Sequence, residues 1–226
     1  MLSGDWSSDV CSSDLLPAVQ TDKENCVAHN GSLIPVPGRD LFVQAWYQGG
    51  LSISDFTDSA HPKEIAYFDR GPVSADHEIL GGYWSIYWYE GKIYGTEIAR
   101  GLDVFELTPS EYLSANEIAA ARMGQQGRTV NPQQQYPVTW PAHPVVARAY
   151  MDQLARESGL PTETATRLTA LLDKATPLVD RNRKDASVAK DLRTAAGALD
   201  TAGDSAKAKR LAALRDTLIR IADRVA

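Results

Sequence analysis

The imidazoles and thiols here, the commonest nitrogen and sulfur ligands of transition metals, come from four histidines and two cysteines. His29 stands beside Asn30 in a strand-like segment, where an imidazole could face a channel and take a metal. No second His or Cys lies at ligand spacing from it, and His61, His77 and His143 fall in loop-like stretches. The structural alternative for His29 is a hydrogen bond to the adjacent turn. Cys26, three residues earlier, reads as a buried apolar residue. Trp46-Tyr47 and Tyr83-Trp84, with Tyr87, Trp88 and Tyr89, form two aromatic clusters. Such clusters either hold sugars and peptides or pack sheets together. Glu97 and Arg100 flank a strand end and could form a functional pair or a rim salt bridge. There is no Ser/His/Asp arrangement, phosphate-binding glycine loop, HExxH or EF-hand loop. The residues to watch for binding are therefore His29, Asn30, Trp46, Tyr47, Trp84, Tyr87, Glu97 and Arg100. No catalytic residue and no cofactor is expected, and His29 is a metal ligand only in the alternative reading.

The chain has 226 residues, 43% of them hydrophobic, so it can build a core. Its net charge of −6 argues against a general nucleic-acid binder. No run reaches the roughly 18 apolar residues of a membrane span.

Residues 1–15 read MLSGDWSSDVCSSDL, with crowded Ser and Asp and no period of 2 or 3.6. They lack the basic and apolar regions of a signal peptide. Asp5 to Leu15, DWSSDVCSSDL, resembles the in-frame translation of a common sequencing adapter. That resemblance makes 1–15 a non-native, disordered stretch in which Trp6 and Cys11 carry no functional information. It also implies a native chain that begins upstream of Leu16, with any signal peptide out of view.

The remainder changes composition. Residues 16–138 hold 8 Lys+Arg against 15 Asp+Glu, whereas 139–226 hold 15 against 11 and are rich in Ala, Leu and Arg. The expected organisation is a β region with a short helix over 16–123, a Gln- and Pro-containing extended linker over 124–144, and a helical tail over 145–226.

The β region repeats. At an offset of 51, Gly50 matches Gly101, Leu51 matches Leu102, Ile53 matches Val104, Asp55 matches Glu106 and Thr57 matches Thr108. A period of this size with strand-like units points to a propeller or solenoid. The first unit reads as strands at Cys26–His29 with Leu33–Val36, Asp40–Tyr47, Leu51–Phe56 and Glu64–Phe68, separated by turns such as Gln48-Gly49-Gly50. The second reads as Tyr83–Tyr89, Lys92–Ile98 and Leu102–Leu107, with its fourth strand absent. The repeat predicts that Leu51 and Ile53 point the same way as Leu102 and Val104, both pairs inward between stacked sheets.

The L-x-I-x-D of Leu51, Ile53 and Asp55, after a Gly and before Thr57-Asp58 and His61-Pro62, resembles the LVIVD repeat. It recurs as Leu102, Val104 and Glu106. Ala28-His-Asn-Gly31, Trp46-Tyr-Gln-Gly-Gly50, Pro62-Lys-Glu64 and Tyr83-Trp-Ser85 are similar to the last repeats of such proteins. The resemblance spans about Cys26 to Leu107. It implies a piece of a bacterial or archaeal β-propeller of the exported or surface-associated kind, with four-stranded blades. Two blades alone would leave apolar flanks open, so the chain is expected to self-associate.

The second part carries helical periodicity. Val146, Tyr150 and Leu154 mark one helix over 145–158. Leu168, Leu171, Leu172 and Ala175 mark another, ending before Pro177. Val188, Leu192, Ala195 and Leu199 mark a third, and Leu211, Leu214, Leu218, Ile221 and Val225 a fourth. Short loops make a small antiparallel bundle the natural arrangement. Ser114 with Glu117 three residues on is a capping box that opens a separate short helix.

The expected fold is thus β plus α: two antiparallel propeller blades, then a small helical bundle. The expected function is a non-catalytic binding or scaffold module for a protein, peptide or glycan ligand. The alternative is an enzyme with a site in the propeller channel, metal-dependent through His29.

Overall fold

The structure is a computed structural model that describes residues 20–126, 137–157 and 159–226. The expected artefact at 1–15 lies outside the described residues. The chain forms two compact units. Of the described residues, 20–35, 39–108 and 137 fall in the first, and 36–38, 109–126, 138–157 and 159–226 in the second.

The first unit holds two antiparallel sheets. Strands β1 (Gly31–Ile34), β2 (Leu41–Ala45), β3 (Leu51–Asp55) and β4 (Lys63–Phe68) pair in that order. Strands β5 (Tyr83–Tyr89), β6 (Lys92–Glu97) and β7 (Gly101–Phe105) form the second sheet. Among the described residues this sheet has three strands, not four. The β5–β6 turn is Glu90-Gly91, with φ of 44° and 87°. That is the left-handed pair that a two-residue hairpin needs to match strand twist. The first strand is shorter than expected: Cys26–His29 lies outside it. His29 N still donates to Ala45 O and Ala45 N to Asn30 O, both at 2.9 Å.

Cross-strand register assigns the faces, because directly opposed residues share a side. In the first sheet Ser32, Val43 and Ile53 are in register, as are Ala45, Leu51 and Phe68. Val43, Ala45, Leu51 and Ile53 are all buried. This face meets the second sheet: the Phe68 ring lies 4.9 Å from Phe105 and 6.5 Å from Tyr83, and Ser32 Oγ accepts from Trp88 N at 2.7 Å. The second sheet answers with Ile86, Trp88 and Ile93, each at most 1% exposed. Trp88, Ile93 and Phe105 share one register line.

The expectation that Leu102 and Val104 are buried is corrected. They are 62% and 49% exposed. Strand β7 turns Asp103 and Phe105 toward the first sheet: Asp103 accepts from Tyr83 Oη at 2.6 Å and Arg70 Nη2 at 2.8 Å. Period-2 alternation then sends Leu102 and Val104 to the opposite face, which among the described residues no sheet covers.

The second unit holds α1 (Ala115–Arg122), α2 (Pro144–Arg156), α3 (Thr162–Asp180), α4 (Ala186–Gly197) and α5 (Ala206–Val225). The Ser114–Glu117 capping box is present at α1. This helix belongs with the other helices, not with the strands as the expected 16–123 region had it. Its Glu117 is fully buried and pairs with Arg156 at 2.6 Å, and Asp152 accepts from Ser114 Oγ and Asn116 Nδ2. His143, Asp185 and Ser205 cap α2, α4 and α5 by accepting from backbone N–H groups near each start. The four apolar stripes converge on one hydrophobic cluster. One boundary departs from expectation: α3 continues through Pro177 to Asp180. Pro177 is exposed, so water can reach the Asp173 carbonyl that loses its donor, and the extra turn buries Val179. Within the expected linker 124–144, residues 127–136 lie outside the described residues. Gln125 N donates to Thr139 O at 2.8 Å across them.

No described helix is long and apolar enough to cross a membrane.

Candidate functional site

Strand β5 runs beside β1, and its outward peptide groups are satisfied by side chains instead of a ladder. Asn30 Oδ1 accepts from Ile86 N at 3.0 Å, and Ser32 Oγ accepts from Trp88 N. The amide nitrogen of Asn30 donates to Tyr87 Oη at 2.8 Å and Ser85 Oγ at 3.2 Å. Asn30 therefore joins the two sheets through both ends of its amide.

One residue earlier, His29 hydrogen-bonds through Nδ1 to the Trp84 carbonyl. A carbonyl only accepts, so Nδ1 carries the proton and Nε2 is the acceptor of the neutral ring. The imidazole lies 4.5 Å from the Trp84 indole and 5.2 Å from the Tyr47 ring. Tyr47 meets Trp84 edge-on at 5.9 Å and 85°. The His29 bond thus goes to a strand 55 residues away and not to the adjacent turn, while the aromatic packing weighed for these residues is present, in one cluster. It is not wholly enclosed: Trp84 is 49% exposed, and Tyr47 and His29 are partly exposed.

The backbone that presents Tyr47 is unusual. Its φ is 51°, a left-handed value that is costly for a bulky side chain and that persists only where neighbours hold it. Tyr83 N donates to Tyr47 O at 2.9 Å. Gly82, at φ 86°, passes so close that a β-carbon there would lie 1.9 Å from the Tyr47 carbonyl carbon. Gln48, 3% exposed, secures the other side: Nε2 donates to Asn25 Oδ1 at 2.8 Å and Ile79 O at 2.7 Å, while Oε1 accepts from Val73 N at 2.7 Å. Neither Gln48 nor Ser85 was a sequence candidate. Their partners are 23 to 55 residues away, and no local spacing announces them.

The structure therefore brings together His29, Asn30, Tyr47, Trp84 and Tyr87. The other three candidates serve elsewhere. Trp46 donates from its indole to Ser52 Oγ at 2.8 Å. Glu97 is 4% exposed and accepts from Gly82 N at 2.5 Å and from Arg100 N, so its carboxylate holds the backbone of two turns. Arg100 stands 3.7 Å from it and donates to Pro72 O at 3.0 Å. Among the described residues no group of three or more His, Cys, Asp or Glu could hold a metal ion. Cys26 is buried.

Chemically the cluster offers two large aromatic rings, an imidazole nitrogen and neutral hydrogen-bonding groups from Asn30, Ser85 and Tyr87. That set suits stacking combined with neutral hydrogen bonds. In comparisons with family models, curated proteins and solved structures, none matches this chain.

Proposed function

We propose that the chain is a non-catalytic binding module from an exported or cell-surface LVIVD-like β-propeller protein. In this reading the two sheets are consecutive blades, the second short of one strand, and the helices form a small antiparallel bundle. The ligand is a neutral glycan or a short peptide held on His29, Tyr47 and Trp84. One observation carries the reading: β1 and β5 lie side by side, as innermost strands of neighbouring blades would, and the aromatic cluster is assembled from both sheets at that seam.

Trp84 is the test residue, because its indole is half exposed and its loss leaves the buried faces of both sheets intact. Titration of the full chain with neutral oligosaccharides and uncharged peptides, read by tryptophan fluorescence, is expected to give saturable binding. Trp84→Ala should weaken it by about 10- to 100-fold, the usual effect of removing an aromatic anchor. A wild-type chain that binds no member of either panel ends this reading. Stoichiometric zinc that is lost in His29→Ala would favour the enzyme alternative instead.

A further inference from the structure

The register of the two sheets shows which surface each leaves open. Trp88, Ile93 and Phe105 form the line by which the second sheet packs on the first. At the repeat offset of 51, Ile93 falls on Phe42. The line through Phe42 in the first sheet is Leu33, Phe42 and Ser54. That line lies on the outward side, where Leu33 is 41%, Tyr67 47% and the nearby Phe56 39% exposed. Conversely, Val104 falls on Ile53, and the line Tyr87, Tyr94 and Val104 corresponds to Ser32, Val43 and Ile53, the buried side of the first sheet. The outward face of the second sheet is thus the counterpart of the face that the first sheet already buries. The outward face of the first sheet is the counterpart of the face that the second already uses. The open faces are the two halves of the contact found inside the unit.

We propose that the outward face of the three-stranded sheet docks on the outward face of the four-stranded sheet of a second copy. Two such contacts related by a twofold axis close a ring of four sheets. The proposal rests on the reading of the sheets as blades. The contact repeats the geometry of the interface inside the unit, so it needs no new surface. Leu102, Val104 and Ile98, at 62%, 49% and 42% exposure, take the part of Leu51 and Ile53. Because each copy contributes one face of each kind, the contact is head-to-tail, and closure at two copies stops it from growing into a fibre.

Light scattering coupled to size exclusion on the full chain is expected to give twice the 24.6 kDa of one copy. Val104→Asp and Tyr67→Asp, on opposite faces, should each give monomers that keep the wild-type far-ultraviolet spectrum. Leu102→Lys is the second variant should Val104→Asp fail to fold. Mixing the Val104→Asp and Tyr67→Asp chains should restore dimers, since each supplies the face that the other lacks. A dimer that Tyr67→Asp leaves intact would pair like faces and overturn the proposal, and species larger than dimers would overturn the closed ring. A wild-type monomer that binds a hydrophobic dye would overturn the dimer and keep the blade reading. A wild-type monomer that binds no dye would overturn both.

Discussion

Leu214→Asp is expected to abolish the helical signal of the second unit while the first unit keeps its tertiary signal. Leu214 is fully buried on α5, in the cluster that also takes Val146, Leu154, Leu168, Leu172, Leu192 and Leu218. An aspartate there loses the packing of a buried leucine, about 2–5 kcal/mol when cut to alanine. It also adds a carboxyl group with no partner, which costs several kcal/mol more whether it stays charged or takes up a proton. The sum falls within the range of the whole stability of a typical domain, about 5–15 kcal/mol. The helices have few other means of support, since most helical stability in proteins comes from packing an amphipathic face and not from the isolated helix. The check is far-ultraviolet circular dichroism beside near-ultraviolet dichroism of the first unit's aromatics. Simultaneous loss of both signals would show that the two units unfold as one.

Gly82→Val is expected to produce the complementary failure, in the first unit alone. Gly82 combines a φ of 86° with backbone contact to Tyr47. A β-branched residue is an outlier at that φ. Its β-carbon would also sit 1.9 Å from the Tyr47 carbonyl carbon and 2.0 Å from Gln48 N, against backbone that has no side-chain freedom to yield. To relieve the clash the chain must break the Tyr83–Tyr47 hydrogen bond and draw Gly82 N away from Glu97. Removing the Gln48 clamp or the Glu97 acceptor leaves buried polar groups without partners, at about 1–3 kcal/mol each. The variant should therefore lose several kcal/mol of stability in the first unit and the ring contacts among His29, Tyr47 and Trp84. Denaturant unfolding followed by tryptophan fluorescence reads both. A midpoint unchanged from wild type would mean that the 82–83 segment does not hold the site.

Local pattern was enough to place most elements. Alternation within Leu51–Phe56 put β3 at Leu51–Asp55, and a capping box put α1 after Ser114. Apolar spacing of three and four identified the side of each later helix that enters the core. These signals are local because strand and helix periods, and caps, depend on residues within a turn or two of each other. The course of α3 past Pro177 was not legible. A proline's usual effect is to end a helix, and it was overridden by burial of Val179 against residues distant in the chain.

The faces and the site divide the same way. The 51-residue repeat placed Leu51 with Leu102 and Ile53 with Val104, and register confirms that the paired strands occupy equivalent places in their sheets. The repeat could not say which copy of that face is covered, because coverage depends on whether another sheet stands beside it. Leu51 and Ile53 have such a neighbour, whereas Leu102 and Val104 face water. Composition marked His29, Asn30, Tyr47, Trp84 and Tyr87 as worth watching, but equally Trp46, Glu97 and Arg100. Only the packing of β1 against β5 separated the two groups. That contact joins residues some 55 positions apart, and side-chain type carries no record of a partner at that distance. Residue order thus determined the elements and their two faces, through interactions along the chain. The tertiary structure decided which faces meet and which side chains share a site, because those depend on sheets and helices brought together from far apart in sequence.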